Sequence, residues 1–403
     1  MQTDKQNTVW IVGNRTDAIE IAKNANLRVV LLYNKKLKYH SADSIEQISF
    51  AWNREEWTSF VEELLKKEPK PIAILAPTEK AVVPAAWISE LIQPNYYTSI
   101  EAALNCTHKP TMKRVAKKKN IPCATFLENE TGDNKISRQE LIDALGLPMA
   151  LKTCVGSGSR GAYIAKTEEE VPTFLKKGYM AEAFVHGTEC SVEAVLQDGK
   201  VLFQNITEYT EPKFANLVPA TFSSELQNQI FKFNKKIITA LGAKNGITHT
   251  EVFIQNFDAN TDIKNDKEIK LIFGEMALRP PGGYIMELLK LSYQRDFWQI
   301  WLDTFLGNKI NIANKKDTQV HFYSGLRLFH PKEGKVKSIK GRESIKSIEE
   351  LEEFTLSVKK GSQINQREGT GQSVGHIVIK GKESTKIKSL LEEVKQKLVF
   401  EME

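Results

Sequence analysis

Residues 274–283 read Gly-Glu-Met-Ala-Leu-Arg-Pro-Pro-Gly-Gly (GEMALRPPGG) and directly follow an apolar run, Ile269 to Phe273, that predicts a β-strand. This strand would carry a carboxylate, Glu275, near its end and a guanidinium, Arg279, four residues later. A rigid Pro-Pro pair and a flexible Gly-Gly pair then follow. A strand that only builds a core does not need charged groups and a shaped turn at its end, so the segment predicts a functional site.

A second apolar segment, Gly246 to Ile254, predicts the partner of this strand, and the polar residues Asp258 to Lys267 predict the turn between them. If the two strands form an antiparallel hairpin centred on Ile263, Glu251 lies opposite Glu275. Facing carboxylates repel each other and lose hydration when they are buried, and a divalent cation would relieve both effects. Because Mg²⁺ prefers carboxylates, water and substrate phosphates as ligands, the pair predicts a Mg²⁺ site. Two exposed glutamates on a solvated sheet face are the alternative.

A Gly/Ser-rich loop lies upstream, directly after a predicted strand, Met149 to Thr153, that carries Lys152. Successive backbone N–H groups in such a loop form a concavity that binds anions, and the lysine adds positive charge. The loop is not a Walker A motif, because no Gly-Lys-Ser/Thr sequence closes it and a strand follows. It predicts a phosphate-binding loop, with a flexible surface turn as the alternative. The candidate residues are Gly156, Ser157, Gly158 and Ser159.

A helix is predicted over Glu168 to Lys176 and a strand over Tyr179 to Val185. Two further glutamates are candidates here, one within this strand and one beyond it. Glu182 lies near the end of the strand, and Glu189 follows a His-Gly turn. Carboxylates at these positions can accept hydrogen bonds from an adenine amino group and from ribose hydroxyls. Glutamate near a turn is common, so these two residues alone do not indicate a nucleotide site.

The order of predicted strands and helices divides the chain into four parts. Strands alternate with helices over residues 1–105, which predicts a parallel α/β domain. Residues 106–188 indicate a compact α+β unit, residues 189–318 an antiparallel sheet with the candidate metal site, and residues 319–403 a small β-rich appendage. After the first strand, a dinucleotide-binding fold carries the pattern Gly-x-Gly-x-x-Gly. This chain has Gly13-Asn14-Arg15 there and lacks the pattern, so no NAD site is predicted.

The composition of the 403 residues is that of an ordinary globular protein, with 41% hydrophobic and 26% charged residues. The net charge of +6 is spread among interspersed acids and bases, and no nucleic-acid-binding motif is present, so we expect no nucleic-acid partner. No window of about 18 apolar residues predicts a membrane span. The four cysteines lack metal-ligand spacing and indicate reduced thiols, hence a cytoplasmic location. A homodimer is the default assembly for an enzyme of this size.

Taken in chain order, these features resemble the ATP-grasp superfamily over nearly the whole sequence. His108-Lys109 is similar to the first ATP-binding lysine of the superfamily, and residues 147–161 are similar to its second lysine and phosphate loop. Residues 181–189 are similar to its adenosine-binding hinge. Residues 248–253 and 274–283 are similar to its metal-binding strands and catalytic arginine. The resemblance implies an α/β and α+β architecture. It has an N-terminal parallel α/β domain, an α+β lid subdomain, and a C-terminal antiparallel-sheet domain with a small β-rich tail.

The resemblance also implies a reaction, in which ATP phosphorylates a carboxylate and an amine displaces phosphate from the acyl phosphate to form an amide. Lys109 and Lys152 would neutralise the phosphates of ATP, and Lys152 and Arg279 would act on the reacting groups. Mg²⁺, or Mn²⁺, would bind Glu251 and Glu275. Two sets of residues have the remaining implied roles: adenosine binding by Glu182, Glu189 and the backbone of Ala183 and Val185, and substrate contact by Arg279, Gly282 and Gly283.

Within the superfamily, the Arg-Pro-Pro-Gly-Gly ending and the tail resemble the L-amino-acid ligases that join two amino acids. This resemblance implies a small-molecule carboxylate and a small-molecule amine as substrates. Glu79, at the edge of the first sheet, is a candidate for binding a substrate ammonium, with an exposed loop residue as the alternative. Glu208 and Glu211 are further candidates for lining the pocket. His249, beside Glu251, fits a packed strand residue better than a general base.

Two departures from the superfamily pattern leave other hypotheses open. His108 stands where an aspartate usually precedes the first lysine, and Ala277 stands where many members carry an asparagine. One alternative is another ATP-grasp chemistry, that of a biotin-carboxylase-like or a nucleotide-pathway enzyme. The other is a non-catalytic ATP-binding regulatory protein.

Overall fold

The computed structural model describes residues 7–35, 37, 40–133, 135–257, 269–310, 312, 318–367, 369 and 371–403. The turn predicted over Asp258 to Lys267, with its centre at Ile263, lies outside the described residues. Within those ranges, no helix is long and apolar enough to cross a bilayer.

The N-terminal part contains a four-stranded parallel sheet, which confirms the predicted parallel α/β architecture. Its strands are β1 (Thr8–Val12), β2 (Arg28–Tyr33), β3 (Ser44–Gln47) and β4 (Ala73–Leu75), in the order β3-β2-β1-β4. Its helices are α1 (Thr16–Asn24), α2 (Arg54–Lys67), α3 (Val82–Ile92) and α4 (Ile100–Thr107). Every residue of β1 is buried, because apolar side chains of helices pack on both faces of the sheet.

The second part forms a four-stranded antiparallel sheet with its own small core, which we call the lid sheet. Its strands are β5 (Phe126–Asn129), β6 (Met149–Thr153), β7 (Tyr163–Ala165) and β8 (Tyr179–Ala183), in the order β5-β8-β6-β7. Helix α6 (Arg138–Leu145) packs on this sheet, whereas α5 (Lys109–Lys118) packs against α4 and α7 (Ser224–Leu241). The helix predicted over Glu168 to Lys176 is wrong, since only a single 3₁₀ turn, Glu168–Glu170, forms there. Pro172 explains the difference, because a proline disfavours the helical conformation of the preceding residue, and Val171 is extended at φ −78° and ψ 128°.

The largest sheet has eight antiparallel strands and forms the floor of the main cavity. Five strands precede residue 318: β9 (Thr188–Gln197), β10 (Lys200–Glu211), β11 (Ala215–Val218), β12 (Gly246–Gln255) and β13 (Lys270–Ala277). Three more belong to the tail: β14 (Tyr323–Phe329), β16 (Leu351–Leu356) and β18 (Gly375–Gly381). The strand order is β13-β12-β9-β10-β11-β14-β18-β16, so one continuous sheet crosses the expected division at residue 318. The four-part division of the chain stays a prediction.

Helices connect the large sheet to its neighbours. They are α7 (Ser224–Leu241), α8 (Ile285–Tyr293), α9 (Phe297–Leu306), α10 (Arg342–Lys346) and α11 (Ser384–Lys397). Helix α9 packs against β4 of the first sheet and against β9 and β12 of the large sheet. A three-stranded sheet in the tail has the order β17-β15-β19 and consists of β15 (Gly334–Lys340), β17 (Gln363–Ile364) and β19 (Val399–Met402). Because α9 joins the two larger sheets, the carboxyl ends of β1 and β4 lie beside the end of β13.

Candidate active site

A cavity of about 340 Å³ lies between the lid sheet and the eight-stranded sheet. The loop after β6 lines one side, and residues of β9, β10, β12 and β13 line the other. Most of the residues singled out in the sequence meet here: Lys109, Lys152, Gly156, Ser157, Gly158, Ser159, Glu182, Glu189, Glu251, Glu275, Arg279, Gly282 and Gly283. Five others do not line the cavity: Glu79, Ala183, Val185, Glu208 and Glu211.

Lys109 joins the Gly/Ser loop to the large sheet. It is the first residue of α5, and its backbone N–H donates to Cys154 O at 2.9 Å. Its Nζ donates a hydrogen bond of 2.6 Å to Gly156 O and lies 3.4 Å from Glu275 Oε2. The loop therefore begins beside a buried cation that also contacts a candidate metal ligand.

Glu182 lies between two lysines. Its Oε1 is 2.5 Å from Lys152 Nζ, on the neighbouring strand β6, and its Oε2 is 3.3 Å from Lys113 Nζ. Burial alone would raise the pKa of Glu182, but the charges and hydrogen bonds of Lys152 and Lys113 lower it to about 2. Lys113 is itself buried and also donates to Phe273 O at 3.2 Å. Lys113 was not among the residues predicted from the sequence, although it follows Lys109 by four residues and so lies on the same face of α5.

The predicted adenosine-binding residues lie at the end of β8 and just beyond it. The backbone N–H of Ala183 donates to Thr125 O at 2.9 Å, within the fold, and Val185 lies in the connection to β9. Glu189, the second residue of β9, lines the cavity. The adenosine-binding roles of Glu182, Ala183, Val185 and Glu189 stay predictions.

The two candidate metal ligands lie on adjacent strands, but their predicted one-to-one pairing is wrong. His249 pairs with Ala277 and Thr250 with Met276, as a hairpin centred on Ile263 requires. Val252, however, pairs with Phe273, so a β-bulge sets two residues of β13 against Glu251. Gly274 permits the bulge, because a Cβ there would lie 3.0 Å from Glu251 O and 3.1 Å from Glu251 Cβ.

The electrostatics of this carboxylate pair fit a divalent cation. Burial, then the charges of Glu275 and Glu189, raise the pKa of Glu251 well above its usual range. The pKa of Glu275 is lowered, because Lys109 and Lys152 outweigh the effect of burial. Among the described residues, no group of three or more histidine, cysteine, aspartate or glutamate side chains could hold a metal. Two carboxylates facing a cavity that also holds lysines are the donor set with which Mg²⁺ binds together with phosphate oxygens.

Arg279 is held by a carboxylate from the turn that follows the first sheet. Its Nε donates to Glu79 Oε2 at 2.9 Å, and its Nη1 donates to Pro280 O at 3.0 Å. Glu79 follows β4 and is buried, and burial raises its pKa against the opposing charge of Arg279. The interpretation of Glu79 as a free carboxylate for a substrate ammonium, or as an exposed loop residue, does not fit this placement. Its partner is Arg279.

A buried polar network under the cavity was also missed. Glu193 accepts hydrogen bonds from the side chains of Ser191, Asn205 and Thr207 at 2.6–2.8 Å, and its Oε1 is 3.0 Å from His249 Nδ1. His249 lines the cavity rather than packing into a core. These side chains occupy alternate positions on neighbouring strands β9, β10 and β12. Polar residues with a period of two in otherwise apolar strands are a signal that could have predicted the network.

Glu208 and Glu211 contact the tail. Glu208 Oε1 is 2.6 Å from Lys388 Nζ, and Glu211 pairs with Lys395 at 2.9 Å and with the buried Arg327 at 2.7 Å. The structure therefore does not bring these two glutamates to the cavity. Other residues of this region do line it, and no motif marks them: Tyr209, Lys213, Phe214 and Asn216.

Two family models match the chain. The model of the ATP-grasp domain matches residues 114–289, and the model of the L-amino acid ligase C-terminal domain 2 matches residues 327–403. The chain is 23% identical over 383 residues to an L-arginine-specific L-amino acid ligase of Bacillus subtilis. This alignment covers 89% of this chain and 86% of the relative.

Solved structures share the whole fold. The crystal structure of an L-amino acid ligase from Bacillus licheniformis superposes with a TM-score of 0.77 at 17% identity, with 100% of each chain covered. The ATP complex of carboxyaminoimidazole ribonucleotide synthase from Aspergillus clavatus superposes with a TM-score of 0.70 at 17% identity, with 97% of this chain and 98% of that chain covered. These structures confirm the mixed α/β fold that the sequence predicts.

Proposed function

We propose that this ATP-grasp carboxylate–amine ligase, whose tail belongs to the L-amino-acid-ligase type, activates an amino acid with ATP and joins it to the amine of a second amino acid. One observation carries the proposal. One cavity is lined by two lysines, two glutamates and an arginine: Lys109, Lys152, Glu251, Glu275 and Arg279. The similarity to the Bacillus subtilis L-amino acid ligase over 89% of the chain supports an amino acid as the carboxylate.

In the proposed reaction, a carboxylate oxygen of the first amino acid attacks the γ-phosphorus of ATP, and the bond from that phosphorus to the β,γ-bridging oxygen breaks to release ADP. The amine of the second substrate then attacks the acyl carbon, loses a proton, and displaces phosphate to leave an amide. Lys109 and Lys152 neutralise the phosphates, while Glu182 and Glu189 bind adenosine. Glu251 and Glu275 would hold Mg²⁺ or Mn²⁺, which would neutralise charge on the phosphate oxygens.

Arg279 stabilises the negative charge that develops on the acyl phosphate and on the tetrahedral oxyanion. Its Nε and Nη1 already hold acceptors, and Nη2 donates no hydrogen bond to the residues that the structure describes. The Gly/Ser loop, Gly156 to Ser159, covers the phosphates and keeps water from the acyl phosphate, which water would otherwise hydrolyse. Gly282 and Gly283 let the substrate approach the backbone.

The proposal is tested by phosphate release from MgATP by the purified chain, with proteinogenic amino acids supplied singly and in pairs, and by mass spectrometry of the products. We expect release that depends on one or two amino acids and a product mass equal to their sum less water. Glu225→Gln, an exposed change on α7, is the matched control for the loss expected from Glu275→Gln. ATP binding without amino-acid-dependent turnover would contradict the proposal and favour another carboxylate or a regulatory ATP-binding role.

A further inference from the structure

Arg15 forms hydrogen bonds with the Pro280-Pro281 turn, which follows Arg279, the proposed catalytic arginine. It comes directly after the Gly13-Asn14 pair at the carboxyl end of β1 and before α1. Its Nη1 donates to Pro280 O at 3.2 Å and its Nη2 donates to Pro281 O at 3.0 Å. The two prolines have no backbone N–H, so this segment cannot be fixed by the usual two-way pairing of a strand. Its carbonyl groups instead accept hydrogen bonds from the guanidinium of Arg15, which follows β1 of the N-terminal sheet.

Arg15 is itself immobilised on two further sides. Its Cζ lies 4.4 Å from the centre of the Trp298 ring, which is a favourable stacking distance for a guanidinium. Its Nε lies 3.6 Å from Asp17 Oδ2, at the start of α1. A planar side chain with a stacked face and an ionic partner loses little further freedom when it binds two carbonyl groups. Arg15 therefore gives the Pro280-Pro281 segment a defined position.

The carbonyl of Pro280 connects Arg15 to Arg279, because it accepts a hydrogen bond from each guanidinium. The second anchor of Arg279, Glu79, follows β4, which pairs directly with β1. The two strand ends are also in close contact, since a Cβ on Gly13 would lie 2.5 Å from Thr78 Oγ1. The two acceptors that orient Arg279, Glu79 and the carbonyl of Pro280, are thus both positioned by residues at the carboxyl ends of β1 and β4 in the N-terminal sheet.

We infer that Arg15 is a positioning residue for Arg279, and that it keeps the guanidinium in the orientation that the reaction needs by fixing the carbonyl of Pro280. The inference rests on the proposed role of Arg279 in the ligase reaction. Because Arg279 acts on charge that develops during the reaction, loss of Arg15 lowers kcat and leaves the KM for ATP nearly unchanged. The Gly13-Asn14-Arg15 segment, which lacks a dinucleotide-binding pattern, acquires a function in this way.

The kinetic experiment compares Arg15→Met and Arg15→Lys with a matched control, Arg28→Met. Arg28 lies on β2 of the same sheet and forms hydrogen bonds of 2.7–3.1 Å with Glu68, remote from the cavity lining. We expect kcat to fall about 10- to 100-fold in Arg15→Met, since a displacement near 1 Å at a reacting group has effects of this size. Lysine offers one donor centre in place of a fork and should give a smaller loss. Arg28→Met should change thermal stability without changing kcat.

A double mutant separates positioning from general damage. In the Arg279→Ala background, Arg15→Met should produce no further loss of kcat, because the group that it positions is absent. Equal losses in both backgrounds, or a kcat within about twofold of the parent in Arg15→Met alone, would overturn the inference.

A measurement without substrate decides the inference even if the proposed ligation fails. In protein labelled with [¹⁵N]arginine, the Nε–H signal of Arg279 is assigned by its loss in Arg279→Lys. We expect Arg15→Met to broaden or shift this signal and Arg28→Met to leave it unchanged. An Arg279 signal that is identical in all three proteins refutes the positioning role. Absence of an amino-acid-dependent product from the parent protein, with the expected NMR result, refutes the proposed function alone.

Discussion

The two ends of the cavity hold their cations in different ways. At the lysine end, which we propose binds the nucleotide, one carboxylate, Glu182, contacts two lysines, Lys152 and Lys113. At the other end, one carboxylate, Glu79, serves one guanidinium, that of Arg279. The pKa of Glu182 is accordingly lowered to about 2, whereas burial raises the pKa of Glu79 because a single cation does not offset it.

The charge balance at each end of the cavity indicates which kind of group that end can bind. Two lysines around one carboxylate leave net positive charge beside Glu182, where the polyphosphate of the proposed nucleotide would add several negative charges. At Arg279, one guanidinium pairs with one carboxylate, so the pair adds no net charge and instead fixes the orientation of the guanidinium. Such an arrangement suits a group that meets charge only as the reaction proceeds, because the orientation is fixed beforehand. Substitutions at the two ends test this contrast between net positive charge at one end and fixed orientation at the other.

The largest expected effect is that of Arg279→Ala. We expect kcat/KM to fall about 10²- to 10³-fold, the range observed when one oxyanion-stabilising donor is removed. Affinity for ADP, measured by calorimetry, should change far less, because the lysine end keeps its charge. Arg279→Lys keeps the charge but cannot hold both Glu79 and Pro280 O in a fixed plane, so it should recover only part of the rate. A loss of ADP affinity as large as the loss of rate would remove the distinction between the two ends.

The second effect concerns stability and its pH dependence at Glu182 and Glu79. The pKa of Glu182 lies at about 2 against an ordinary value of 4.5, a difference that corresponds to on the order of 3 kcal/mol of folding free energy. Because the folded-state pKa is depressed, this contribution is present above pH 4.5 and is lost as the pH falls towards 2. Glu182→Gln should therefore destabilise the protein strongly at pH 7 and progressively less below pH 4.5, as measured by urea unfolding.

Glu79→Gln is the matched comparison for that experiment. Its folded-state pKa is raised, so ionisation of Glu79 weakens the fold as the pH rises above its unfolded value, and the sign is opposite to that of Glu182. We expect Glu79→Gln to lose less stability than Glu182→Gln at pH 7, although it disturbs Arg279 and lowers kcat. Equal destabilisation by the two changes at pH 7 would contradict the contrast in charge balance.

A smaller effect is expected from Lys113→Met, which removes one of the two lysines at Glu182. Lys113 does not itself line the cavity, but its Nζ contacts Glu182, which does, so the change acts through Glu182 and Lys152. With one partner fewer, Glu182 should bind Lys152 more exclusively and reduce the charge available to phosphate. We expect ATP affinity to fall about tenfold, the effect of one hydrogen-bonded charge pair, with kcat nearly unchanged. Lys118→Met, an exposed change on the same helix, is the control; a kcat effect larger than the affinity effect would argue against this role.

The lysine end, apart from Lys113, could be predicted from the sequence because its groups follow one another in the chain. Lys152, the Gly/Ser loop and Glu182 lie on two paired strands of one small sheet, so local patterns were sufficient to bring them together. The glutamate pair on β12 and β13 was also found by hairpin symmetry. Its register was wrong by the bulge opposite Glu251, since a glycine that permits a bulge cannot be distinguished in sequence from one that ends a strand.

The arginine end could not be predicted in this way. Arg279 and Glu79 are separated by 200 residues, and Arg15 and Pro280 by 265. These contacts depend on how α9 packs the first sheet against the large one, and no periodicity or spacing encodes that packing. The same limit explains Glu208 and Glu211, whose partners, Lys388 and Lys395, come from the last helix of the chain.

The smallest catalytic effect should come from Glu208→Gln, which tests whether the tail contacts are separate from both ends of the cavity. Glu208 Oε2 accepts hydrogen bonds from the backbone N–H and the hydroxyl of Thr221 at 3.1 and 3.0 Å, and Oε1 pairs with Lys388. The amide can keep one of these acceptor roles but not the ion pair, so the free energy of unfolding should fall by about 1 kcal/mol. Both kcat and KM should stay within about twofold of the parent, because β10 turns this side chain away from the cavity that Tyr209 lines. A tenfold change in the KM of one amino acid, with ATP kinetics intact, would instead mean that the tail shapes the substrate end and that Glu208 belongs to it.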